Sequence, residues 1–295
     1  MTKAGFAPVH GIVLALVLAL SGSAWAQRSG PKSAPKGEQG QLIFAVNEGG
    51  SGNLDATEIF LRYEDFVKII EKALGARVTL VAARDIQILQ RSLETGAYAL
   101  ALSRPADMLA QAIRDYGYVP VAVSSERAHT LFIVNKDSPL RTIADVHGKR
   151  IVTPDRYAYM WRVAFAMLRD NHIAMGKENV KTMRDQAAIG WSLENEFFDV
   201  GVVASFSATG RTWEKRGGRV IAMSPEIPNT PVIASARKLS PAQITKVGDA
   251  LIALDSTDAG KAILKKINVA AFKPASRQVF IDLLNWLGPL EIVPE

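Results

Sequence analysis

The chain has 295 residues, 48% of them hydrophobic, no cysteine and a formal net charge of +6. The absence of cysteine excludes disulfides, thiolate metal sites, a cysteine nucleophile and lipid attachment through an N-terminal cysteine. Acids and bases are interspersed, without the basic clusters and stacking aromatics of a nucleic-acid surface, so the mild positive balance is left for a small anion.

Lys3 is followed by the apolar run Ile12–Leu20, too short to span a bilayer, and by the small-residue cleavage pattern Ala24-Trp25-Ala26. Residues 1–26 therefore read as a signal peptide, with export to a periplasm and nothing embedded in a membrane after cleavage. Losing Lys3 takes the net charge from +6 to +5. Residues 27–40, QRSGPKSAPKGEQG, offer nothing to bury and are predicted to be a disordered tether.

The folded part begins with a strand, QLIFAV (41–46), and a Gly/Asn-rich loop, NEGGSGN (47–53). Ile59, Tyr63, Phe66, Ile70 and Leu74 then recur at helical spacing up to Gly75, a normal stop. RVTLVAA (77–83) is β-branched and strand-like, a helix spans about 85–93, and YALALS (98–103) is a third strand. This alternation predicts a parallel sheet with helices on both faces. The pattern restarts at HTLFIVNK (129–136), with a strand at 150–152 and helices over about 156–171 and 190–197. Strands follow at 199–205, 219–224 and 230–236, and everything after Ser240 reads as helix. Two α/β units follow from this, with a ligand expected between them at the carboxyl ends of strands.

Four segments carry a resemblance: DSPLRTIADVHGKRIVTPD (137–155), EFFDVGVVAS (196–205), SPEIPNTPVIASARKLSP (224–241) and ALIALDSTDAGKAILKKINVAAFKPA (250–275). In this order they resemble the phosphate/phosphite/phosphonate-binding proteins of ABC transporters. The resemblance implies an α/β, two-lobed type II periplasmic binding protein with two crossover hinge strands. Carried onto this sequence, lobe 1 is 41–128 plus 237–295, lobe 2 is 136–230, and the hinge strands are 129–135 and 231–236. In that family the second-lobe helix opens with a Ser/Thr-rich turn that grips phosphonate oxygens, as helix N-termini do for anions. Here the matching stretch is PDRYAYMWR (154–162), with no Ser or Thr, so an oxyanion would be held by different groups.

Arg156, with the backbone amides around it, can hold an oxyanion bidentately. Tyr157 shares a helical stripe with Trp161, Ala164 and Leu168, which leaves packing open for it, whereas Tyr159 falls on the opposite side with no evident core role. Arg104, beside Ser103, follows the third strand, and Asn47 and Glu48 end the first; all four face the expected cleft by topology. Arg184 belongs to the far wall. The candidate ligand-binding set is thus Asn47, Glu48, Ser103, Arg104, Arg156, Tyr157, Tyr159 and Arg184. No catalytic residue, metal or cofactor is expected, since His129, His147 and His172 have no paired spacing and no nucleophile elbow is present. The partners expected are a small-molecule ligand and an ABC permease, or alternatively a membrane sensor kinase that reads lobe closure, with the protein itself a monomer.

Overall fold

A computed structural model of the chain describes residues 41–49, 54–104, 106–126, 128–156, 158–174, 176 and 179–289. The expected signal peptide and tether lie outside them. In chain order the first elements are β1 (Leu42–Asn47), α1 (Ala56–Leu74), β2 (Val78–Ala82), α2 (Ile86–Glu94), β3 (Leu100–Ser103), α3 (Ala106–Asp115) and β4 (Tyr118–Ser124). The next are β5 (Thr130–Val134), β6 (Ile151–Pro154), α4 (Tyr159–Asp170), β7 (Val180–Met183), α5 (Gln186–Glu194), β8 (Val200–Ala204), α6 (Ala208–Thr212) and β9 (Arg219–Met223). The chain then returns through β10 (Pro231–Ser235), α7 (Pro241–Ile252), α8 (Asp258–Lys266), β11 (Phe272–Lys273) and α9 (Arg277–Leu287). None of the described helices is long and apolar enough to cross a membrane.

The strands form two sheets, one ordered β11-β4-β10-β3-β1-β2 and the other β7-β6-β8-β5-β9. β1 pairs in parallel with β2 and β3, and β6 pairs in parallel with β7 and β8, whereas β10 and β5 run antiparallel to their neighbours. Successive side chains of a strand point to opposite faces. Phe44 and Val46 of β1 accordingly join a core with α1, α7 and α8, while Ile43 and Ala45 join another with α2, α3 and α9. The second sheet divides likewise: Leu131 and Ile133 of β5 pack with α5 and Trp213, and Phe132 and Val134 pack with α4. Helix α1 shows how local sequence sets an element. A capping box between Asp55 and Glu58 starts it, Ile59, Tyr63, Phe66 and Ile70 bury one face, and Gly75 ends it at φ 66°.

Three sequence expectations are corrected. Residues 129–135 and 231–236 are not the crossing segments. β5 and β10 are buried along their whole length, each inside its own sheet, because an all-apolar run suits a strand covered on both faces. The chain passes between the sheets where Ala128, between β4 and β5, and Ile227, between β9 and β10, form an isolated antiparallel bridge. The helix expected from Arg156 begins only at Tyr159, with Ala158 as its cap. Finally, α3, β4, β7 and α6 are elements that the periodicity did not suggest, and β11 interrupts the stretch after Ser240 that was expected to be all helix.

Candidate functional site

Register fixes where the two lobes meet. Thr130, at the start of β5, pairs with Ala204 at the carboxyl end of β8. In the first sheet Pro231, at the start of β10, pairs with Val123 near the end of β4, and Val232 pairs with Leu102 of β3. Both crossings therefore leave and enter at carboxyl strand ends, and the ends of β1, β3, β6 and β8 converge there.

On the first-lobe side, Asn47 is committed to the backbone: its Nδ2 donates to the Ala83 carbonyl at 2.5 Å and its Oδ1 accepts from Gly49 N–H at 2.8 Å. The next residue, Glu48, is buried and forms the centre of a charged cluster. Tyr63 Oη donates to its Oε1 at 2.6 Å, Arg62 Nη1 lies 3.6 Å from the same oxygen, and Arg104 Nε donates to Oε2. Arg104 also reaches Thr230 Oγ1 at 3.2 Å and the Ile267 carbonyl at 2.8 Å. Burial opposes the Arg104 charge, but the neighbouring Glu48 carboxylate and Tyr63 outweigh it and hold the pKa above the usual arginine value. Burial, reinforced by the Glu48 charge, pushes the Tyr63 phenol well up. Two guanidiniums, Arg62 and Arg104, converge on this carboxylate, and Glu126 adds a second negative charge near Arg104.

Where β3 and α3 meet α4, the polar groups are less completely paired. Arg162 Nη1 donates to Asp107 Oδ2 at 2.6 Å, and its Nη2 donates to the Gly288 carbonyl at 3.0 Å. Asp107 Oδ1, Ser103 Oγ and Tyr159 Oη are buried with no hydrogen-bond partner. Leaving a buried polar atom unpaired costs roughly 1–3 kcal/mol, and such atoms concentrate at functional sites. Tyr159 is 5% exposed. Its phenol pKa is driven well up by burial, with the Asp107 charge adding to it. The side of α4 expected to be free of the core is therefore buried: Tyr159 and Met160 lie in the same apolar cluster as Val163 and Ala164. The helix has two covered faces, one on its own sheet and one against first-lobe helices, which a single-stripe reading cannot distinguish. Trp161 takes a third direction, stacked on Phe165 at 4.1 Å between ring centroids. Met160 S accepts from Thr130 Oγ1 at 3.2 Å, which ties the start of α4 to the crossing.

The remaining candidates divide by exposure. Arg156 sits exposed in the turn between β6 and α4, and Arg184 is exposed between β7 and the Asp185 cap of α5. Tyr157 lies outside the described residues. Asp107, Arg162, Tyr63 and Thr230 belong to the same region and were missed. Arg162 alone carried a sequence signal, as a charge between Trp161 and Val163 inside an apolar helix. Among the described residues no group of three His, Cys, Asp or Glu side chains could hold a metal ion.

Comparison with known proteins agrees with this architecture. The family profile described as "ABC transporter, phosphonate, periplasmic substrate-binding protein" matches residues 53–280. No curated protein matches the chain. Among solved structures, a Xanthomonas citri protein bound to ATP superposes with a TM-score of 0.68 at 14% identity, covering 84% of this chain and 97% of that one. PhnD1 from Prochlorococcus marinus, in complex with methylphosphonate, gives 0.62 at 14% identity over 83% and 96%. A binding-protein component of a phosphonate ABC transporter from Pseudomonas aeruginosa gives 0.60 at 16% identity over 82% and 83%.

Proposed function

The chain belongs to the family of periplasmic substrate-binding proteins of phosphonate ABC transporters, and from that membership we propose that it captures a small oxyanion between its two lobes for delivery to a membrane permease. The observation that carries the anionic reading is the pair of guanidiniums at the end of β1 and β3, where Arg62 and Arg104 converge on the Glu48 carboxylate. Arg156 and Arg184 add exposed positive charge at the carboxyl ends of β6 and β7. A ligand entering between the strand ends would meet guanidinium groups from both lobes, and contacts from both lobes favour the closed arrangement by differential affinity.

Within that reading the residues take different roles. Asn47, Glu48 and Arg104 form a fixed wall, since their polar atoms already hold strand ends and a crossing segment in place. Arg156 is the primary oxyanion contact, with Tyr157 beside it, and Arg184 contributes long-range charge. Ser103 and Tyr159 offer hydroxyls for which the protein itself supplies no partner. PhnD1, a structural neighbour, was solved with methylphosphonate, and a tetrahedral oxyanion of that size is the ligand class proposed.

Thermal unfolding against methylphosphonate, phosphate, sulfate, small carboxylates and quaternary amines tests the proposal. A specific ligand at a hundred times its Kd stabilises by about 2.7 kcal/mol, a rise in Tm of roughly 5–10 °C for a chain of this size. We expect at least one tetrahedral oxyanion to give such a rise and Arg156→Ala to reduce it. A rise with amines alone would refute the oxyanion reading.

A further inference from the structure

Asp107 is an acid in the first turn of α3, just beyond the carboxyl end of β3. Complementing the helix dipole is an ordinary reason for an acid there, but such a residue normally works from the surface. Asp107 is instead 6% exposed, and only its Oδ2 is taken, by Arg162 of α4 at 2.6 Å. Its Oδ1 is buried without a donor, as are the hydroxyls of Ser103, the last residue of β3, and Tyr159, the first residue of α4. A hydroxyl can turn to donate or to accept, so it suits any oxygen-rich ligand. An ionised carboxylate has acceptors only. A ligand group that meets Oδ1 must bring a proton.

We propose that Asp107 is a specificity-determining residue: it admits a tetrahedral oxyanion that keeps one acidic proton, donated to Oδ1, and rejects one that is fully ionised. The proposal rests on the reading of the cleft as an oxyanion site and narrows it to singly protonated phosphonates or hydrogen phosphate. Arg162 balances the Asp107 charge, so a monoanion is not repelled. A fully ionised anion would set its own lone pairs against Oδ1 and leave that oxygen unpaired, a loss of roughly tenfold or more in affinity. Asp107 and Ser103 belong to the first lobe and Tyr159 to the second, so closure on a ligand brings them together. Among the described residues, the ionisable side chains coupled to Asp107 are Arg162 and Tyr159, both from α4. Arginine does not titrate, and burial holds the Tyr159 phenol well above its usual range. Near neutral pH the proton that matters is the ligand's.

Calorimetric titration with methylphosphonate and with sulfate, between about pH 6 and about pH 9, tests this. The two are tetrahedral and similar in size, but methylphosphonate loses its last proton near neutral pH and sulfate carries none there. The parent protein should bind methylphosphonate at least roughly tenfold more tightly than sulfate at the acid end. Above the ligand's own pKa the protonated form falls about tenfold per pH unit, and the affinity should fall with it. A site of guanidiniums alone would prefer the dianion and give an affinity that rises with pH. Asp107→Asn offers an amide that can donate, so it should flatten the pH profile and bring sulfate close to methylphosphonate. If that variant does not fold, the parent's selectivity and pH profile decide. Equal binding of sulfate by the parent, an affinity that rises with pH, or unchanged selectivity in folded Asp107→Asn would overturn the role of Asp107 while oxyanion capture stands. Binding of neither anion would overturn both.

Discussion

Arg104 was a candidate because it follows a strand at the expected cleft, and the structure gives it three partners that no local pattern signals. Thr230 and Ile267 lie more than a hundred residues away in sequence, brought to it only by the return of the chain through β10 and the turn after α8. Removing this side chain would leave Glu48 buried with its best partner gone. Arg104→Ala is therefore expected to cost about 3–5 kcal/mol in urea unfolding, the range for breaking a buried ion pair by deleting one member. Tyr159 is the opposite case. Its hydroxyl is buried without a partner, so Tyr159→Phe should leave stability unchanged or raise it by up to about 1 kcal/mol. If the hydroxyl contacts the ligand, the same variant should weaken oxyanion binding by roughly five- to tenfold, the worth of one hydrogen bond. Measuring stability and affinity on this one variant separates packing from recognition.

At the level of elements, most strands and helices were legible because burial writes a period into the sequence: i, i+3, i+4 in α1, and apolar runs in β1, β5 and β8. The elements that escaped have identifiable reasons. β4 carries Pro120, which argues against a central strand, and the structure accommodates it opposite Ile233 where the β10 register shifts. β7 is an edge strand whose middle residues are exposed, so its sequence is not apolar. α6 depends on close approach rather than pattern: a Cβ on Gly210 would lie 2.1 Å from the Ala204 carbonyl oxygen at the end of β8. Gly210→Ala should cost roughly 1–3 kcal/mol by displacing that helix, measurable in chemical denaturation. A pH effect belongs to the contact between α1 and α8. Lys266, and then Lys68, hold the Asp65 carboxyl down to about 2. This contribution is complete above the unfolded aspartate value of about 4 and is lost as pH falls through the folded value. The urea midpoint of Asp65→Asn should therefore lie below that of the parent at pH 6 and approach it near pH 2.

For the molecule as a whole, the two-lobed α/β plan could be read from the strand–helix alternation and from four family-like segments. Its division into lobes could not be read to the residue, because β5 and β10 look like continuous crossing strands until pairing shows that each belongs to one sheet. The apolar cluster shared by α3, α4 and α9 was equally hidden, since nothing local to α9 indicates that its partner comes from the other lobe. On the proposed reading, Asn47, Glu48 and Arg104 give the cleft a fixed charged wall and Arg156 belongs to the wall opposite. Calorimetric titration with methylphosphonate and phosphate, beside a neutral and a cationic solute, tests the capture of an oxyanion most directly. The account predicts one site per chain, saturable binding of at least one oxyanion, and affinity at least about tenfold weaker in Arg156→Ala, the loss of one charged hydrogen-bonding group. Saturable binding of the cationic or neutral solute with no heat from any oxyanion would contradict it.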